Sequence, residues 1–221
     1  GAKRALRHPQ QPEGLPPMTN SFPASRRNQN GLRLASAVQP IERSIPPGLV
    51  IYADGCCEPN PGAGGWGYAV YLDEQEVASA CGGSHESTNQ RMELTAVLEA
   101  LAWVTNNQPK RLPRLFSDSA YTVNGCNDWR HKWRMMGWRR GGPNAKAENS
   151  NIANLDLWQM LDGALTQHPV TLEWCKGHAG IIGNERADEL ALIGRDMVLV
   201  NQPAPTPSQL DMIRQQLAPR A

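Results

Sequence analysis

The chain has 221 residues, with 22 Lys/Arg against 21 Asp/Glu and a formal net charge of +1, a length that suits one domain of roughly 150 residues plus flanking segments. No apolar run approaches the roughly 20 residues needed to cross a bilayer, and the beginning lacks the charged-then-apolar layout of a secretory signal, so the chain reads as soluble. Five cysteines without metal-ligand spacing point to free thiols in a reducing compartment, not to a zinc centre or a disulfide framework.

Residues 1–48 carry seven Lys/Arg, two acids, eight prolines and a single aromatic, Phe22. This composition predicts a disordered basic arm, either an inert leader or a nonspecific contact for nucleic acid. Pro9, Pro12, Pro16 and Pro17 argue against the amphipathic helix of an organellar transit peptide, which leaves cytoplasmic location, most simply bacterial, as the first expectation and organellar import as the second. Met18 offers an alternative start.

Ordered structure is expected from Leu49. The β-prone run Leu49–Ala53 predicts a strand ending at Asp54-Gly55, a glycine-rich turn covers Asn60–Gly65, and strands at Trp66–Tyr71 and about Glu76–Cys81 complete an antiparallel meander. Thr88 is placed to cap a helix over Asn89–Asn106, where Leu94, Val97, Leu98 and Leu101 form one apolar stripe. Arg114–Ser117 predicts a short strand ending at Asp118, and Asn154 is placed to cap a helix bearing Leu155, Trp158, Leu161 and Leu165 that stops before Pro169. A strand at Val170–Cys175 and a helix from Asn184 to about Val200 follow, the latter with Ala187, Leu190, Ala191 and Gly194 on its close-packing face. The tail, 201–221, opens with a proline-rich spacer; Ser208–Asp211 resembles a capping box before Leu210, Ile213 and Leu217, although a frayed end is the preferred reading. The order β-β-β-α-β-α-β-α predicts an α/β domain over 49–200, a mixed five-stranded sheet of three antiparallel strands then parallel ones, flanked by helices.

Four acids end or ride on these elements: Asp54 and Asp118 follow strands, Glu93 opens a helix, and Asp188 lies on the last main helix. If the two strands are neighbours in one sheet, the carboxylates converge, and such a cluster binds hard divalent cations through oxygen. The charge distribution agrees. Residues 127–146 hold six Lys/Arg against one acid, so this segment and the arm each carry +5 and the remainder −9, as expected of a protein that meets a polyanion with defined regions and holds cations with another.

Taken together, Tyr52-Ala53-Asp54-Gly55, Asn60-Pro61-Gly62, Thr88-Asn89-Gln90-Arg91-Met92-Glu93-Leu94, Ser117-Asp118-Ser119, Lys176-Gly177-His178-Ala179-Gly180 and Asn184-Glu185-Arg186-Ala187-Asp188-Glu189-Leu190 resemble type 1 ribonuclease H, above all its bacterial form. The resemblance spans about residues 49–200 and implies a ribonuclease H-like fold. It also implies a monomeric endonuclease that hydrolyses the RNA strand of RNA/DNA hybrids with two Mg2+ ions, Mn2+ being a possible substitute, and leaves 3′-hydroxyl and 5′-phosphate ends. On this reading Asp54 bridges both ions, Glu93 and Asp118 bind one and Asp188 the other. Loop residue His178 shuttles a proton, consistent with its near-neutral titration, and Glu185 tunes metal occupancy from behind.

For substrate, the resemblance assigns Asn60, Asn89 and Gln90 to minor-groove edges and 2′-hydroxyls, and Thr88 and Asn154 to a DNA phosphate. Glu86 stands where some relatives place an arginine at that phosphate site, with His85 beside it. The segment from Trp129 to Lys146 looks like the family's basic protrusion. Trp129, Trp133 and Trp138 lie among Lys132, Arg134, Arg139 and Arg140, a pattern suited to sugar faces and phosphates, while the i, i+4 spacing of Trp129 and Trp133 equally suits packing on a short helix. Two other readings stay open: the nuclease domain of a reverse transcriptase, and a nonenzymatic hybrid-binding module on the same fold.

Overall fold

The computed structural model describes residues 44–141, 146, 150–201 and 206–217; the predicted basic arm, apart from its last five residues, lies outside them, as does part of the protrusion. Five strands form one sheet: β1 (Leu49–Cys57), β2 (Gly62–Leu72), β3 (Gln75–Ser87), β4 (Arg114–Ser117) and β5 (Leu172–Trp174), in the order β3-β2-β1-β4-β5. The first three are antiparallel, while β1, β4 and β5 run parallel, which is the predicted mixed sheet.

β1 is apolar throughout because both its faces are covered, and side chains alternate across a strand. Ile51 and Ala53 enter a core with Leu94, Val97 and Leu101 of α1 (Asn89–Asn107) and with Trp158, Leu161 and Leu165 of α4 (Leu155–Gln167). Val50 and Tyr52 enter a second core with Ala187 and Leu190 of α5 (Ile182–Leu199). This alternation decides the site's position: Asp54 continues the α5-facing set, and Gly55 the α1-facing set.

The glycine-rich segment predicted as a turn is mostly strand. β2 begins at Gly62, and β1 and β3 run to Cys57 and Ser87, well past the predicted ends. The reason is close helix packing on the sheet backbone: a Cβ on Gly65 would overlap the Ala191 carbonyl of α5, and one on Gly64 would run into the Met92 side chain of α1. Glycine here serves close approach, not reversal.

Between β4 and α4 the chain forms α2 (Ala120–Asn124), one π-helical turn (Gly125–Trp129) and α3 (Arg130–Met135). Asn127 on the π turn pairs with the sheet edge in the manner of a peptide: its Oδ1 accepts from the Leu172 N–H at 3.0 Å, and its Nδ2 donates to the Leu172 carbonyl at 2.8 Å. The tail is helical as well. In α6 (Pro207–Leu217) the capping box is Thr206 with Gln209, two residues before the predicted one: Gln209 N–H donates to Thr206 Oγ1 and Thr206 N–H donates to Gln209 Oε1. Leu210 is fully buried in the α5-side core together with Ile45, so the expected frayed end is instead a docked helix. Among the described residues no helix is long and apolar enough to cross a membrane.

Candidate active site

Strand ends and helix faces bring the acids together. Asp54 near the end of β1, Glu93 in the second turn of α1 and Asp118 just after β4 each offer an oxygen within 4.8 Å of the others. Asp54 and Glu93 are buried, 6% and 7% exposed. Asp188 on α5 forms a second group with His178 and Glu185 under the same distance limit.

Each carboxylate has distinct support. Asp54 Oδ1 accepts the Gly55 N–H at 2.7 Å. Glu93 Oε1 accepts from Asn89 Nδ2 at 3.3 Å, and its buried Oε2 has no hydrogen-bond partner. Asp118 is held twice: Asn184 Nδ2 donates to its Oδ2 at 3.1 Å, and Trp174 Nε1 donates to its carbonyl at 2.9 Å. A Cβ on Gly177 would collide with Asp118 Oδ2, so only glycine lets the following loop pass.

The electrostatics of this cluster are unfavourable to charge. Burial, followed by the charge of Asp118, pushes Asp54 up to about 7. Burial, then Asp54 and Asp118, drives Glu93 well above the carboxylate range. Asp188 is raised by burial, with His178 opposing. Groups so arranged gain by holding a divalent cation, which restores their charged forms and satisfies the orphaned oxygen of Glu93. The donor set, all oxygen with one exposed imidazole at its rim, fits a hard ion.

His178 projects from its loop with 81% of its side chain exposed, its Nδ1 3.9 Å from Asp188 Oδ2. The loop is tied to α5 through Glu185, whose Oε1 accepts the Gly180 N–H at 3.0 Å. Glu185 thus anchors the histidine loop and also lies beside Asp188.

The remaining expected site residues surround this centre. Thr88 caps α1 as predicted, accepting from Arg91 N–H at 3.3 Å. Asn60 is exposed, and its Oδ1 accepts the Asn89 N–H at 3.3 Å, while Gln90 is exposed beside it. Arg91 grips Asp156 through two hydrogen bonds, 3.0 and 2.7 Å, and so fixes the start of α1 against the start of α4. Asn154 does not cap α4. It sits at the cap position in a left-handed conformation with φ 58°, not the extended backbone from which a side-chain oxygen reaches the first helical amides, and makes no capping bond; its Nδ2 donates to the Tyr121 hydroxyl at 3.3 Å. His85 and Glu86 are both exposed.

In the basic segment the aromatic rings pack inward. Trp129 and Trp133 lie 5.8 Å apart, and Trp133 meets Trp158 edge-on at 5.3 Å. Trp138 is half-buried against the same core. Trp129 and Trp133 still line a surface cavity of about 340 Å³ with Tyr121, Arg140 and Asn151. The cations divide. Arg130 is buried and donates to Asp162 Oδ1 at 2.6 Å, and Arg134, itself exposed, approaches the same carboxylate at 3.3 Å; Lys132 and Arg140 are exposed as well. Asp162 and Cys175 carried no recognisable sequence signal, and Asn184, although part of the motif that carries the resemblance, has no role assigned from sequence, since its bond to Asp118 spans 66 positions.

An RNase H family model matches residues 46–195. A ribonuclease H of Caulobacter sp. (strain K31) is 45% identical over 148 residues, covering 67% of this chain and 90% of that protein. Ribonuclease HI of Pseudomonas aeruginosa is 42% identical over 143 residues, covering 65% and 90%. Among solved structures, LC9-RNase H1, described as a type 1 RNase H with the type 2 active-site motif, superposes with a TM-score of 0.59 at 30% identity, covering 73% of this chain and 76% of that one.

Proposed function

This chain belongs to the ribonuclease H family, and we propose that it hydrolyses the RNA strand of RNA/DNA hybrids at the carboxylate cluster, leaving 3′-hydroxyl and 5′-phosphate ends. The observation that carries the reading is the convergence of Asp54, Glu93 and Asp118 within 4.8 Å, with Asp188 across on α5. These four would hold two Mg2+ ions, with Mn2+ able to replace them, Asp54 being shared between the two.

Bound there, the ions would supply a water activated near the phosphorus and neutralise charge developing on the leaving 3′ oxygen. The protein's own groups do the rest. Burial around Asp54 and Glu93 excludes bulk water and strengthens electrostatic attraction within the site. His178, exposed on a loop tethered by Glu185, is placed to move a proton between the site and solvent or to ease departure of the product. Asn60, Asn89 and Gln90 would read minor-groove edges and 2′-hydroxyls, the groups that separate RNA from DNA. Thr88 and Asn154 would flank a DNA phosphate, and Lys132, Arg134, Arg139 and Arg140, with the rims of Trp129, Trp133 and Trp138, would track the backbone. The five cysteines are free thiols, four of them buried, consistent with a reducing cytoplasm.

The test is a labelled RNA strand presented alone, in an RNA duplex and in a hybrid, with Mg2+ or with chelator. Cleavage confined to the hybrid and dependent on the ion is expected. Equal cleavage of single-stranded RNA, or cleavage in chelator, would overturn the proposal.

A further inference from the structure

We propose that Asn184 is a positioning residue for Asp118 and that the thiol of Cys175 sets the direction in which the Asn184 amide points. The inference rests on the reading of Asp118 as a metal ligand. Asn184 is 2% exposed on α5, one helical turn before Asp188. On one side its Nδ2 donates to Asp118 Oδ2 at 3.1 Å. On the other its Oδ1 accepts from Cys175 Sγ at 3.2 Å. Cys175 follows β5 directly, and its N–H bonds to the Ser117 carbonyl at 3.1 Å, so the relay spans β4, β5 and α5 next to the cluster.

The order of groups has a chemical reason. The two ends of an amide are nearly equal in shape but opposite in hydrogen bonding. An ionised carboxylate only accepts, so the end facing Asp118 must be the NH2, and the end facing away then needs a donor. A thiol is a small donor that also suits an apolar site. Burial pushes this thiol up to about 12, with Asp118 and Asp54 adding to the effect, so the S–H persists at any working pH. Reversing the amide would set its carbonyl oxygen against the carboxylate. With Oδ2 occupied by Asn184, the Asp118 carboxylate is fixed in orientation and its other oxygen is left for the ion, as hydrogen-bonded partners behind a ligand generally do. Because Asn184 and Asp188 share one helix, the same rigid element aligns acids from both groups.

The alternative role for Cys175 is an apolar filler, and valine and serine separate the two: valine fills the space without a donor, while serine keeps a donor with less volume. The measurement is Mg2+ binding to the full chain by calorimetry without nucleic acid, alongside metal-free melting temperature and kcat and KM on a hybrid. Asn184→Ala and Cys175→Val are expected to weaken Mg2+ binding about 10-fold or more and to lower kcat with little change in KM, while Cys175→Ser stays within a few-fold of wild type. Wild-type Mg2+ affinity in folded Asn184→Ala, or in Cys175→Val with loss in Cys175→Ser, would overturn the inference. Should Asn184→Ala fail to fold, the Cys175 pair decides alone. Asp118→Asn is the control: loss of Mg2+ binding there with no effect at Asn184 sinks only this inference, while unchanged binding there removes its premise and the inference together.

Discussion

The α-carbon of Gly55 lies against the backbone nitrogen of Glu93, so that any Cβ at position 55 would overlap the peptide joining Met92 to Glu93. Two acids of the cluster, Asp54 and Glu93, thereby owe their proximity to the absence of one methyl group between a strand and a helix. Gly55→Ala should force β1 and α1 apart, at a cost of roughly 1–3 kcal/mol as in other overpacked cores, which for a domain of this size lowers the melting temperature by several degrees. Cleavage should fall further than stability explains, since the separation acts on two of the proposed metal ligands. Wild-type melting and kcat in this variant would show that the contact carries no strain.

The buried acids predict a particular pH dependence of the metal-free protein. Asp54 titrates near 7 in the folded state against an ordinary 3.8. Between about pH 4 and 7 the folded chain therefore keeps a proton that the unfolded chain has released, and stability falls as pH rises through that window. Glu93 is shifted in the same direction and adds to the loss. Asp54→Asn removes the first contribution, so in chelator its melting temperature should exceed that of wild type at pH 7.5 by several degrees and approach it near pH 4. Added Mg2+ should then raise the wild type far more than the variant. Thermal scans by circular dichroism across pH 4–8 provide the check, and a variant less stable than wild type at pH 7.5 would contradict the sign.

How far the sequence carried the reading depends on the range of the interaction concerned. Asp54, Glu93, Asp118 and Asp188 were legible because each terminates or rides on an element with strong local periodicity, and β4 was placed at its observed ends, Arg114–Ser117. The predicted turn Asn60–Gly65 misled because glycine there serves close approach, Gly64 to Met92 of α1 and Gly65 to Ala191 of α5 more than a hundred residues away, and not only a local reversal. Asn154 has a cap-forming side chain in the cap position, yet its backbone is left-handed and no capping bond forms, while its amide nitrogen meets Tyr121, a partner that local rules cannot see. Thr206 was passed over for Ser208 because Pro207 stood between the strong signals, although proline is well suited to the first helical position. The relay through Asn184 joins residues 9 and 66 positions apart in sequence and has no local signature.

Two ion pairs of the same chemistry should differ widely in worth. Arg130 and Asp162 are about 10% exposed and 2.6 Å apart, with Arg130 Nε also donating to the Cys126 carbonyl at 2.6 Å. Asp162→Ala would leave Arg130 buried without its counter-charge, a loss of about 3–5 kcal/mol. Arg114 and Glu173 also lie 2.6 Å apart, but their side chains are 49% and 37% exposed, and Glu173→Ala should cost less than about 1 kcal/mol. Urea denaturation of both variants decides it. Similar losses would mean that burial does not govern the first pair.

The same geometry divides the basic segment into cations that pair with Asp162 and cations that do not, and the proposed grip on substrate falls mainly to the latter. Arg130 and Arg134 converge on Asp162, so part of the segment's formal charge is neutralised internally. Lys132 and Arg140 are exposed. Each phosphate contact contributes roughly 0.7–0.9 to the slope of log affinity against log salt, so Lys132→Ala and Arg140→Ala should each flatten that slope for hybrid binding by somewhat under one unit. Arg134→Ala should show more in melting temperature than in slope, and replacing Lys132, Arg134, Arg139 and Arg140 together should weaken binding most at low salt, where counterion release is strongest. The binding assay is best run with Asp54→Asn, which cannot turn over the substrate under the proposed assignment. A slope unchanged by the fourfold replacement would place the grip on nucleic acid elsewhere on the surface.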